Sequence, residues 1–436
     1  MKRSSPIPPA TEPQLRECPG CGLFQTVPAL APGVTAQCVR CPTVLRRTSG
    51  HSFDHIIALT LTAFVLLVVM CSTTLMSVET SGIRRKADLF SGPQELVRQN
   101  MGELAVVIVF VTVLAPLIRL VGMLYVLIRL HEAAPPRHLR TVFAWAERLR
   151  PWSMLEVFVF GVFVAYVKLG DLVTIGLAAG VYALLALTFV LIWMDSALDR
   201  EAVWERLYRT SLRGGSAGLP GAIGCETCGL VSVPRPDEDD PHCPRCDSAL
   251  HERKPNSVAR TWALVIAAAV LYIPANYYPV LSVVQLGAGQ PSTILGGVEE
   301  LVTARQYPLA ALVFFASVAV PMLKIIGLTI MLVATQTGRA GWLHDRTRLY
   351  YAVRWIGRWS MIDIFMEALL GALVRFGTVV TIEPGIGAVA SCSVVILTIF
   401  AAETFDRRVM WDMTAQRIDG GGVSVLHVGT GLEAGD

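Results

Sequence analysis

Two sets of four apolar runs, separated by charged or glycine- and proline-rich stretches, make up most of the chain. The first set runs Ile56–Met76, Leu104–Leu130, Ser153–Leu169 and Leu172–Met194. The second runs Ala259–Val283, Leu309–Ala334, Ser360–Phe376 and Ile386–Ala402. Each run is long enough to cross a hydrocarbon core of about 30 Å as a helix. Trp152, Trp193, Trp262, Trp355 and Trp359 fall near the run ends, where indole rings anchor at the membrane interface. The pattern predicts an all-α polytopic membrane protein of two tandem modules, each with four transmembrane helices.

The modules are copies of one unit. Pro116, Arg119 and Gly122 match Pro321, Lys324 and Gly327. Trp152-Ser-Met-Leu-Glu156 matches Trp359-Ser-Met-Ile-Asp363, and Asp199-Arg200 with Trp204 matches Asp406-Arg407 with Trp411. The offset stays between 205 and 207, which identifies a duplication.

Both copies put a base and an acid inside apolar runs, Arg119 with Glu156 and Lys324 with Asp363. A charge at the centre of a spanning helix costs about 2.5–3.5 kcal/mol, so these residues are expected to face inward as pairs. In the second unit Ser317 and Lys324 share one helix face. Ser360, Asp363 and Glu367 share another, and Thr398 on the last run can join them. Pro321 removes a backbone hydrogen bond next to Lys324 and favours a local opening of that helix. The residues admit two readings: polar glue that fixes helix packing, or a track that handles protons or lipid head groups. Arginine keeps its proton while a desolvated lysine can release one, which favours the second unit for proton-coupled work. Lys168, Asp171 and Arg375 are expected at the outer ends of spans as snorkelling or rim residues, with Asp171 the functional exception among them.

Composition narrows the class. Of the 436 residues 53% are hydrophobic and 16% charged, which excludes a soluble multidomain enzyme. A net charge of +3, spread between apolar runs, gives no basis for nucleic-acid binding. There is no glycine-rich nucleotide loop and no Gly-x-Ser-x-Gly elbow, and the chain is read as a non-enzyme. Arginines such as Arg46, Arg47, Arg148, Arg150, Arg346 and Arg354 cluster on one side of the runs, so that side and both termini are expected in the cytoplasm.

Eight of the ten cysteines form Cys-x-x-Cys pairs ahead of the modules: Cys18, Cys21, Cys38 and Cys41, then Cys225, Cys228, Cys243 and Cys246. Sixteen residues separate the first two pairs and fourteen the second two, a spacing that brings four thiolates around one ion. Two structural Zn2+ sites in small ribbons are expected, with an iron–sulfur cluster or thiol redox chemistry as the competing uses. His242 is a possible substitute ligand, and Cys71 and Cys392 pack as small hydrophobes. The expected organisation is a disordered start (1–14), ribbon 1 (15–48), membrane module 1 (51–197), a linker (198–222), ribbon 2 (223–252), membrane module 2 (256–405) and a cytoplasmic tail (406–436).

The ribbon cysteines, Pro-Met-Leu-Lys324 and Trp359-Ser-Met-Ile-Asp363, each with a first-unit counterpart, resemble the paraquat-inducible protein A family. The resemblance covers about residues 15 to 412. It implies a multi-pass protein of a bacterial inner membrane whose four-helix modules are tetraspanin-like. It further implies a subunit of an intermembrane lipid transport system, passing membrane lipids to or from a periplasmic MCE-domain partner that forms a hexameric tunnel. In that family the polar residues of the second module are tied to transport. The positions that match are Ser317, Lys324, Ser360, Asp363 and Thr398, and Asp171 matches a first-module acid. Arg119, Glu156, Pro321 and Glu367 take supporting places. A stress-protective thiol protein and a ribbon scaffold with inert spans are the alternative readings.

Overall fold

The computed structural model describes residues 13–80, 83–132, 135–170, 174–208, 221–235, 240–285, 288–338, 343–373 and 380–419. Most of the expected disordered start, the middle of the linker, the end of the tail and Asp171 lie outside the described residues.

Ribbon 1 is two hairpins, β1 (Gln14–Glu17) with β2 (Phe24–Val27) and β3 (Thr35–Gln37) with β4 (Val44–Arg47). The first module begins with α1 (Phe53–Ser72), which Ser52 caps by accepting the His55 N–H. Strands β5 (Thr74–Thr80) and β6 (Ile83–Asp88) and helix α2 (Ser91–Arg98) follow. The second span is α3 (Gly102–Val109), a π-helical turn (Phe110–Leu114) and α4 (Ala115–Arg129). Then come α5 (His138–Leu149), α6 (Leu155–Gly170), β7 (Thr174–Leu177), α7 (Ala179–Ala197) and α8 (Arg200–Leu207).

The second half repeats this order. Ribbon 2 carries β8 (Ile223–Gly224) and β9 (Val231–Ser232). After it come α9 (Ser257–Tyr277), β10 (Leu281–Gln285), β11 (Ala288–Ser292) and α10 (Ile294–Thr303). The next span is α11 (Tyr307–Phe314), a second π-helical turn (Phe315–Ala319) and α12 (Val320–Gln336). The chain ends with α13 (Leu343–Gly357), α14 (Ile362–Leu373), β12 (Val380–Pro384), α15 (Ile386–Thr404) and α16 (Arg407–Asp419). The segments expected as linker and tail thus each begin with a helix, α8 and α16.

Seven helical stretches among the described residues are long and apolar enough to cross a membrane. The eighth expected span, Ser360–Phe376, contains α14, beyond which 374–379 lie outside the described residues. Apolar side chains such as Val65, Val68, Leu185 and Phe189 point away from the protein interior, as lipid-facing positions do. Hydroxyls inside the spans donate to the carbonyl four residues back, as from Thr60 to Ile56 (2.7 Å) and Ser393 to Val389 (2.8 Å). These back-bonds satisfy the hydroxyls within the helices themselves, as hydrocarbon requires.

Two three-stranded antiparallel sheets, ordered β6-β5-β7 and β11-β10-β12, cap the modules opposite the ribbons. They shorten three expected spans: Ile56–Met76 and Ala259–Val283 run on into β5 and β10, and Leu172–Met194 starts before β7. In each sheet the strand after the first span pairs with the strand before the last, so α1 packs along α7 and α9 along α15. A glycine begins each of these last spans for a steric reason. A Cβ on Gly180 would sit 2.6 Å from the Thr74 carbonyl oxygen, and one on Gly387 2.6 Å from that of Tyr278.

Proline explains both π turns. Pro116 and Pro321 lack the N–H that would bond the carbonyls of Thr112 and Ser317, and their rings crowd those carbonyls. Widening the preceding turn relieves the clash in both copies, leaving Thr112 and Ser317 within it.

The modules meet where α14 packs against α6 and α2. Phe158 meets Phe365 edge-on with centroids 5.3 Å apart, and Phe160 meets Trp359 at 4.8 Å. Gly161 permits this approach, since a Cβ there would lie 2.8 Å from the Phe365 Cβ. Gly161→Val is therefore expected to cost about 1–3 kcal/mol by overpacking. Thermal unfolding of the purified protein in detergent would read it, and an unchanged midpoint would contradict the contact.

Candidate functional site

The knuckles of both ribbons share one backbone device. Cys18 N donates to Leu23 O (2.9 Å) and Gly22 N to Cys18 O (2.9 Å). Cys225 N donates to Leu230 O (2.8 Å) and Gly229 N to Cys225 O (2.9 Å). Gly22 and Gly229 have φ of +73° and +69°, a region glycine occupies without strain. These turns fold each Cys-x-x-Cys so that both sulfurs face the opposing knuckle. In each quartet the Sγ atoms lie within 4.8 Å of one another, with closest approaches of 3.4 and 3.6 Å in ribbon 1 and 3.5 Å in ribbon 2. A tetrahedral ion with metal–sulfur bonds of about 2.3 Å requires sulfur–sulfur separations of about 3.8 Å. All eight thiols are buried, so both quartets fit a metal ion. His242 is exposed and its Nδ1 contacts the Asp240 carbonyl at 2.8 Å, outside the quartet.

The ribbons cross over. The cysteines of ribbon 1 share an apolar cluster with Leu328, Met331, Tyr350 and Trp411 of the second module. Arg40 stacks on Trp411 at 4.6 Å, and His344 Nε2 bonds the Arg40 carbonyl at 2.8 Å. Ribbon 2 packs with the first module's cluster, where Arg148 donates to Ser248 Oγ at 2.8 Å. Ionic contacts tie the crossing together. Glu17 accepts from Arg408 (3.0 Å), Arg253 (3.2 Å) and Gly224 N (2.8 Å), while ribbon 1 returns to α8 through Arg16–Glu201 and Arg46–Glu205 (3.2 Å). Burial opposes charge on Asp406 and Arg408. Their mutual contact nevertheless holds the Asp406 carboxyl below the usual range and the Arg408 guanidinium above its own.

A cavity of about 560 Å³ opens between the two modules at the ribbon end of the spans. It is lined from the first module by Arg119, Glu156 and Asp195 and from the second by Lys324, Gly357 and Thr398, with Trp152 and Trp355 at its wall. Arg119, Glu156 and Lys324 therefore face one shared space, where the sequence suggested an inner lining for each bundle. Arg119, 2% exposed, forms its ion pair with Asp195, an acid the sequence reading passed over, and Arg150 Nε meets the other Asp195 oxygen at 3.3 Å. Glu156 lines the same cavity.

The second module replaces this clamp. At an offset of 207, Asp195 corresponds to Ala402 and Arg150 to Gly357, while Lys324 takes the place of Arg119. Lys324 is 1% exposed, and among the described residues its one hydrogen bond is to the Gly357 carbonyl at 3.4 Å. Thr398 donates to Val395 O at 2.9 Å. Ser317 and Ser360 do not line the cavity. Ser317 donates to Val313 O at 2.7 Å, and Ser360 Oγ is buried with no partner among the described residues. Pro321 sits in the first turn of α12. The side chains of Asp363 and Glu367 on α14, like Asp171, lie outside the described residues.

The family model described as Paraquat-inducible protein A matches residues 53–208 and 258–415. The Intermembrane transport protein PqiA of Escherichia coli (strain K12) is 32% identical over 402 residues, covering 91% of this chain and 95% of that protein. The Lipophilic envelope-spanning tunnel protein A of the same strain is 30% identical over 399 residues, covering 91% of each. A Probable intermembrane transport protein of Haemophilus influenzae is 26% identical over 409 residues, covering 91% of this chain and 96% of that protein. No solved structure matches significantly.

Two outcomes follow from the geometry. Asp195→Ala strands the buried Arg119 and is expected to cost about 3 kcal/mol, whereas replacing both residues with leucine restores most of the loss; denaturation midpoints of the three variants decide it. Cys38→Ser with Cys41→Ser is expected to halve the bound metal and, through the crossing, to expose α16 to proteolysis. Undiminished metal content, or an α16 as resistant as before, would contradict this.

Proposed function

The chain belongs to the paraquat-inducible protein A family, and on that premise we propose that it is the inner-membrane subunit of an intermembrane lipid transport system. The observation that carries the reading is the inter-module cavity. It combines a buried ammonium with a single long hydrogen bond, a paired guanidinium and indole walls at the end of apolar spans. A lipid suits such a space, with its phosphate near Lys324 and its acyl chains along the apolar helices. The relatives' names support transport between membranes. A periplasmic MCE-domain tunnel is the proposed receiver, on the sheet side, with the ribbons and both termini in the cytoplasm.

Zinc is the proposed metal in both ribbons, because four buried thiolates in a small module suit a structural ion that supplies folding energy. Redox use would require an accessible reactive thiolate, and each of the eight is at most 5% exposed. Proton coupling through Lys324 and Asp363, with Ser317, Ser360, Thr398 and Asp171 in support, is the proposed source of drive.

Lys324→Met is expected to reduce lipid transfer about tenfold, the worth of one charge-assisted hydrogen bond, at unchanged protein level. Thr398→Val is expected to reduce it less. The assay is transfer of labelled phospholipid from membranes containing the chain and its tunnel partner. Full transfer by Lys324→Met would remove the cavity from the mechanism.

A further inference from the structure

A second cavity, of about 610 Å³, lies away from the inter-module space, where ribbon 2 rests on the start of α5 and the end of α8. Three arginines line it: Arg137 just before α5, Arg140 within α5 and Arg245 from the last knuckle of ribbon 2. Asp247 is the acid on its wall. Arg245 is 3% exposed and has no hydrogen-bond partner at its Nε among the described residues, and the Nε of Arg140 is likewise buried and unpartnered. The Arg140 Cζ lies over the Tyr208 ring, 4.4 Å from its centroid, a contact that holds the guanidinium without neutralising it. Other arginines on this side of the protein behave differently. Arg16, Arg46, Arg200 and Arg408 each reach a carboxylate.

The duplication supplies an internal control, because ribbon 1 sits on α13 and α16 as ribbon 2 sits on α5 and α8. At an offset of 207, Arg137 becomes His344, His138 becomes Asp345 and Arg140 becomes the buried Thr347. Arg245 corresponds to Arg40, which is exposed and occupied by its stack on Trp411. Among the described residues the three arginines therefore gather at the ribbon 2 crossing and their counterparts at the ribbon 1 crossing do not, so ribbon docking alone does not require them. A buried guanidinium Nε–H with no acceptor is costly, and an anion's oxygen would supply one. Planar forks converging from two elements suit the oxygens of a tetrahedral phosphate.

We infer that the junction of ribbon 2 with α5 is a binding site for a phosphate group, gripped by Arg140 and Arg245 with Arg137 at the rim. The same chemistry is offered by a lipid head group of the adjoining leaflet and by soluble phosphate. Either would bridge ribbon 2 to the first module. The inference does not depend on the transport reading.

The test uses the full-length, metal-loaded protein in phosphatidylcholine nanodiscs. Hydrogen exchange is followed at 137–141 and 241–247 during titration with inorganic phosphate against chloride at equal ionic strength. A parallel arm replaces part of the phosphatidylcholine with phosphatidylglycerol and adds no phosphate. Protection by inorganic phosphate identifies a soluble anion, and protection by phosphatidylglycerol alone identifies a head group. In either case Arg140→Gln is expected to weaken the effect about tenfold, and Arg348→Gln on the opposite half to leave it unchanged. Arg245→Gln is scored if its metal content is intact, and otherwise Arg140→Gln decides. No protection in either arm, or protection that Arg140→Gln does not diminish, would overturn the inference.

Discussion

A cation cannot stay in hydrocarbon without a counter-charge or a polar enclosure, and this constraint shapes the membrane part of the molecule. Arg119 and Lys324 sit at the same place in the two copies, just past a proline-widened turn, and both are almost wholly buried. The first module meets the constraint locally by gripping Asp195 between Arg119 and Arg150. In the second the corresponding places hold Ala402 and Gly357, and a backbone carbonyl is the lysine's described partner. Closing the two modules on each other shelters both charges in one cavity. The helix contacts of α14 with α6 and α2 are what keep it closed.

Duplication explains why the halves are alike in outline and unlike in chemistry. A single unit must satisfy every buried charge by itself. Two units that pack together can divide the work, one holding a finished ion pair and the other an underfilled polar pocket. The same division appears at the ribbons: one crossing carries the unpaired arginines, and the other is closed by Arg40 on Trp411.

Much of this was legible in the sequence because it rests on local or strictly repeated signals. Cysteine quartets, helix-length apolar runs and an offset of about 207 need no tertiary knowledge. The sheets were hidden because Leu75 and Met76 extend the apolar run of α1, and one of the two partners of β5, β7, is a strand about a hundred residues away. Asp195 was hidden for a different reason. Attention to features kept in both copies passes over an acid whose counterpart is alanine, although an acid between Trp193 and Ser196 in an apolar helix was itself a cue. The shared cavity and the exchanged ribbons arise from non-local packing, for which no periodicity or spacing stands as a sign.

The exchange of ribbons has a consequence for how the protein is made. Glu17 meets Arg408 across 391 positions of chain, so the seat of ribbon 1 on the second module is completed only after α16 has emerged. Long-range closures of this kind are late and slow to form. Before that, ribbon 1 can already be held by α8 and ribbon 2, through Arg16–Glu201, Arg46–Glu205 and the Gly224 N–H on Glu17. The completed molecule is fastened where ribbon 1 meets α16, and neither half is a finished object until the other has been built.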